Sequence, residues 1–244
     1  MRRLNPSLLL LGCALFASLL IPPLTAANQE VSLSAHVKLT DAHGAESSRA
    51  DNVVVWLVPT DAQAPMRPFA AGPYRLTQHH KSFDPHVLVV PVGAVVEFPN
   101  HDPFFHNVFS LFEGKRFDLG LYEAGSTRNV SFDRPGISYI FCNIHAEMSA
   151  VVIALQTPYY GISNAKGELL LPQVAPGRYV MHMWYETALP AALSSMTREI
   201  TVTPESSTLG VLQVPAGPPI NAHKNKYGMD YEPPAPDSPG YVHP

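Results

Sequence analysis

The stretch Phe141-Cys142-Asn143-Ile144-His145-Ala146-Glu147-Met148 constrains this chain more than any other. A thiol, an imidazole and a thioether follow one another at intervals of three residues, in a tight turn between two apolar, strand-like runs, Ile137 to Cys142 and Ala150 to Leu155. These donors are soft. Thiolate and thioether ligands select copper over hard cations, and two imidazoles with one thiolate and a long axial Met make a blue-copper electron-transfer centre. The turn supplies one imidazole. His106, which opens the apolar run His106-Asn107-Val108-Phe109-Ser110, is the candidate for the second.

Other chemistries fit these residues less well. Structural zinc prefers Cys and His without thioether, so Met148 counts against it. A Cys-His nucleophile needs a base within hydrogen-bond reach and a third group to orient it, and the sequence offers no oxyanion donor set or substrate cleft beside the turn.

Many short Val-rich runs separated by Pro, Gly, Asn and Asp, with 25 prolines and 15% charged residues in 244, point to an all-β fold. Strands are expected at Val31 to Thr40, Asn52 to Pro59, Val87 to Val92, Val95 to Phe98, Val108 to Phe112, Arg128 to Phe132, Ile137 to Cys142 and Ala150 to Leu155, and no helix is expected. A net charge of −4 without clustered Lys and Arg excludes a nucleic-acid partner.

Arg2 and Arg3, an apolar core from Leu8 to Ile21 and small residues up to Ala27 read as a signal peptide, residues 1–27, which implies a periplasmic protein. The apolar run is shorter than the ~20 residues needed to span a bilayer, so no membrane span is expected in the mature chain. With Cys13 removed, Cys142 has no disulfide partner in an oxidising compartment, and a metal would occupy it.

The span from Lys81 to Leu155 resembles a cupredoxin. Phe83-Asp84-Pro85, Val95-Val96-Glu97-Phe98, His106-Asn107, Pro135-Gly136 and Tyr139-Ile140-Phe141-Cys142 carry the resemblance in order, and the two-residue gap between His145 and Met148 is similar to that of amicyanin. The resemblance implies a Greek-key β-sandwich over 74–155. It also implies one type 1 copper ion held by His106, Cys142, His145 and Met148, with Asn107 tying the two ligand loops together. The flanking segments Asn164 to Leu171 and Val174 to Met181, together with Asp41-Ala42-His43-Gly44 and Val53 to Trp56, resemble the prealbumin-like β-sandwich of carboxypeptidase regulatory domains. A second, discontinuous sandwich of residues 28–70 plus 156–214 is therefore expected, with the cupredoxin inserted in it. The tail, 215–244, holds eight prolines in thirty residues and is expected to be disordered.

The function these readings imply is an exported one-electron carrier, not an enzyme, exchanging electrons with a redox partner such as a c-type cytochrome or a periplasmic dehydrogenase. Two alternatives stay open: a copper-handling protein using the same ligands, and a β-sandwich module that binds a partner protein or glycan and carries the copper domain as a passenger. His145 is expected to be the ligand nearest the surface, and His106 to lie deeper.

Overall fold

The computed structural model of the protein describes residues 29–61, 66–111, 114–218 and 223–231. The expected signal peptide, 1–27, lies outside these residues. In chain order the elements are β1 (Val31–Thr40), β2 (Val54–Pro59), β3 (Tyr74–Arg75), β4 (Thr77–His79), β5 (Ser82–Asp84), β6 (Val87–Pro91), β7 (Ala94–Pro99), β8 (His106–Ser110) and β9 (Phe117–Tyr122). They continue with β10 (Thr127–Phe132), β11 (Gly136–Cys142), β12 (Ser149–Leu155), β13 (Tyr160–Ile162), β14 (Glu168–Val174), β15 (Gly177–Trp184), α1 (Pro190–Met196), β16 (Arg198–Val202) and β17 (Thr208–Pro215).

The outer sandwich is assembled from both ends of the chain. In one sheet β1 lies between β14 and β17, antiparallel to the first and parallel to the second; in the other, β2 lies between β13 and β15, with β16 beyond. Alternation along β1 turns Leu33, Ala35, Val37 and Leu39 inward, where they share one core with Leu57 from β2 and with Leu171, Met181 and Val214 from the distant half. Strands from both ends of the chain thus share one core. At the turn before β14, Gly167 has φ +77°, and a Cβ there would lie 2.1 Å from the Val37 carbonyl oxygen, so the close approach of β1 requires glycine.

The strands β3 to β12 are inserted between β2 and β13. They form the inner sandwich, in which the sheet β10-β7-β3 faces the five-stranded sheet β6-β12-β11-β8-β9. Non-consecutive neighbours, with β6 parallel to β12, give the Greek-key order, and Val96, Phe98, Phe132, Ile140 and Val152 fill the space between the sheets. The other face of the five-stranded sheet is also covered: Val87, Val89, Val151, Ile153 and Leu155 pack on Val54 and Trp184 of the outer sandwich. Burial on both faces explains why β12 reads as an unbroken apolar run instead of alternating.

Beyond the short strands β3, β4, β5 and β13 and the strands β16 and β17, which the sequence reading did not single out, the structure departs from it in further ways. β9 was not expected, because Asp118 and Gly120 (φ +66°) break its pattern and it is an edge strand bulged against β8. Helix α1 contradicts the expectation of no helix; it is seven residues long, starts on Pro190 and buries none of its residues, so it leaves no apolar period to read. The tail also differs. Its first residues continue the outer sandwich, with Ala216 N–H donating to Thr40 O and Gly217 N–H to Thr187 O, and residues 223–231 pack against the inner sandwich instead of being disordered.

His86 Nε2 lies 2.7 Å from Glu186 Oε2 and links the two sandwiches. The Glu186 carboxylate outweighs burial and raises the His86 pKa above its ordinary value. A raised folded-state pKa contributes stability that is complete below the unfolded value of about 6.5 and is lost as pH rises through the folded value. Unfolding temperature is therefore expected to fall as pH rises above about 6.5, by an amount equivalent to about 1 kcal/mol or less for so exposed a pair. Glu186→Gln should remove this pH dependence; melting curves of both proteins across that window check it.

Candidate metal centre

The donors come from two segments of the inner sandwich, the end of β11 with the turn after it and the start of β8. β11 alternates, with Ser138, Ile140 and Cys142 turned into the core, so the pleat alone points the thiol inward at the last residue of the strand. The turn then closes on itself: Cys142 N–H donates to Met148 O (3.1 Å), and Met148 N–H to His145 O (3.2 Å). His106 is the first residue of β8, and the Asn143 N–H donates to Asn107 O (2.8 Å), joining the turn to that strand.

Cys142 Sγ lies 3.5 Å from His106 Nδ1 and 3.5 Å from His145 Nδ1. The imidazoles meet edge to face with centroids 5.0 Å apart, and the Phe104 ring packs on both. Among the described residues this is the one group of three His, Cys, Asp or Glu donors that converges. The spacing suits two donors on one ion: with bonds of the length zinc makes, roughly 2.3 Å to sulfur and 2.05 Å to nitrogen, a 3.5 Å separation corresponds to an angle of about 107° at the metal. Met148 is 1% exposed and shares the core cluster of Cys142.

Behind His106 stands a residue that the sequence reading missed. Asp102 Oδ2 lies 2.8 Å from His106 Nε2, and the same buried carboxylate accepts the N–H of His80 (2.6 Å) and of Lys81 (3.0 Å). His80 and Lys81 both adopt left-handed backbone, φ 54° and 56°, a strained pair that aims two amides at one acceptor. Burial alone would raise the Asp102 carboxyl; the Lys81 amide, the His106 imidazole and the His80 amide outweigh it and hold it below the usual carboxylate range. Burial pushes His106 down, against the pull of that carboxylate. The pair is thus a neutral imidazole donating Nε2–H to a carboxylate, which leaves the Nδ1 lone pair facing Cys142, the orientation device common at metal-bound histidines.

Burial raises the Cys142 thiol, opposed by the backbone amides of Asn107, Ile144 and His145. A metal ion would have to displace that proton. Burial first, then the charges of His106 and Lys81, bring His145 down to about 4, so its imidazole is neutral near pH 7.

The structure thus brings together three of the four nominated ligands, His106, Cys142 and His145, with Met148 buried in the same turn. Asn107 does tie the two loops, but through its backbone; its side chain instead donates to Asp118 Oδ1 at 2.7 Å. Two further contributors went unread: Asp102, the carboxylate four residues before His106, and the tail residues against the turn.

No protein family matches the chain, and no curated protein does. Among solved structures it is similar to a purple cupredoxin from Nitrosopumilus maritimus, at 21% identity over 34% of this chain and 100% of that one, with a TM-score of 0.31. It is similar to a reduced Cu(I) amicyanin variant at pH 4, at 18% identity over 41% of this chain and 98% of that one, TM-score 0.33. A copper-containing nitrite reductase from Thermus scotoductus SA-01 matches at 25% identity over 40% of this chain and 25% of its own, TM-score 0.33.

Asp102→Asn is expected to weaken metal binding by 10–100-fold, the usual cost of losing the group that orients a ligand histidine, while leaving the chain folded. Titration against a competing chelator measures it. An unchanged affinity would mean that Phe104 packing alone orients His106.

Proposed function

We propose that this protein holds one type 1 copper ion at His106, Cys142, His145 and Met148 and carries single electrons, with no catalytic role of its own. The convergence of a buried thiol with two imidazole nitrogens, each 3.5 Å from the sulfur, carries this reading. Copper, when bound, supplies the one-electron Cu(II)/Cu(I) couple. The chain does the rest. β8 and β11 fix two donor segments in one sheet, Asp102 holds the tautomer and orientation of His106, and Phe104 with the inner core keeps water from the thiol. Rigid placement of this kind keeps donor positions similar in both oxidation states, which favours fast exchange.

Export to the periplasm belongs to the same proposal and rests on the N-terminal apolar run; among the described residues no helix is long and apolar enough to cross a membrane. The partner proposed is a c-type cytochrome or periplasmic dehydrogenase, and the outer sandwich is proposed to be a prealbumin-like scaffold that covers the far face of the copper-bearing sheet.

One copper per chain should bind and give an intense visible thiolate-to-copper band, absent in Cys142→Ser. Colour retained in that variant would place the metal elsewhere. A reversible potential with fast exchange would support the carrier, whereas ready surrender of Cu(I) to a chelator without such exchange would instead mark a copper-handling protein.

A further inference from the structure

We propose that residues 223–231 form a strap that holds the metal-bearing turn closed over the buried Cys142 thiol, with Tyr231 and Lys226 as its positioning residues. What the strap is for rests on the copper reading above; its existence rests on contacts that need no metal.

The strap bonds three acceptors of the turn. Tyr231 Oη–H donates to Cys142 O (2.6 Å), Lys226 N–H to Asn143 Oδ1 (2.9 Å) and His223 N–H to Ala146 O (3.1 Å). These bonds fall along the length of the turn, so it cannot open without breaking at least one. The strap's own shape is set by Asn225, whose Oδ1 accepts the N–H of Tyr227 (2.9 Å) and of Met229 (3.1 Å).

The strap also reaches the other ligand segment. Lys226 Nζ lies 2.8 Å from Asp118 Oδ2, and the second oxygen of that carboxylate holds the Asn107 side chain beside His106. The His223 ring lies on Phe141 with centroids 4.3 Å apart and meets Phe109 at 6.3 Å. Phe109 projects from β8 away from the inner core, on the side opposite Val108, yet is only 1% exposed. Its burial on that side includes the strap. One segment thereby braces the turn directly and β8 through Asp118, so opening the turn over the inward-facing Cys142 requires the strap to release it.

The test uses the metal-free chain and two variants: truncation after Gly217, which keeps the last bond of the outer sandwich, and the full-length double variant Lys226→Ala/Tyr231→Phe, which removes two hydrogen bonds. Iodoacetamide alkylation of Cys142, followed by peptide mapping, is expected to run at least about threefold faster in both, the minimum shift of an opening equilibrium on losing one hydrogen bond and one partly exposed ion pair. With copper bound, release of Cu(I) to a chelator should quicken by a similar factor. Alkylation at the parent rate in the double variant overturns the strap, whether or not the truncated chain folds. If no copper binds to any of the three proteins, the copper reading fails, and the alkylation rates still decide the strap.

Discussion

The hydrogen bond from the Asn143 N–H to the Asn107 carbonyl is the joint on which the candidate metal centre depends. β11 and β8 are in register at only two positions, Phe141 with Phe109 and Cys142 with Val108, so the strands that carry Cys142 and His106 run side by side for little more than one turn of the pleat. So short a pairing would let the segments slide. The Asn143 bond adds one more fixed point beyond the strand end, and the Cys142 N–H bond to Met148 O closes the turn behind it. Each such bond is worth only about 0.5–1.5 kcal/mol net. The centre is therefore held by several modest restraints around a short sheet contact, and this gives Asp102 on one side and the 223–231 segment on the other their structural weight.

The same geometry separates what could be read in the sequence from what could not. Cys142, His145 and Met148 are local, and the strands that bear the turn follow their own apolar runs, so the candidate donors and the fold could be read together. β1 was legible to the residue because one face is buried and the other wet. Asp102 was not legible, because its role comes from two left-handed residues, His80 and Lys81, more than twenty positions earlier, whose amides it collects. The tail misled for a different reason. Low apolar content argues against a segment that must build its own core, but nine residues that dock on carbonyls and a ring already in place need none. α1 shows the same limit at the surface, where no buried face leaves a period.

The parallel pairing of β1 with β17 also sets an order of events during synthesis. Ser34 is bonded to Ser207, 173 residues later, and contacts so distant in sequence make folding slow. The inner sandwich closes within one contiguous stretch, whereas β1 and β2 emerge first and find their neighbours last. Until β13 to β17 arrive, the apolar strand β2 and the half-apolar strand β1 stand with bare edges, the kind of surface that pairs with other copies of itself. The architecture that cradles the sheet of Cys142 and His106 thus carries an interval in which unpaired strand edges are open to association with other copies.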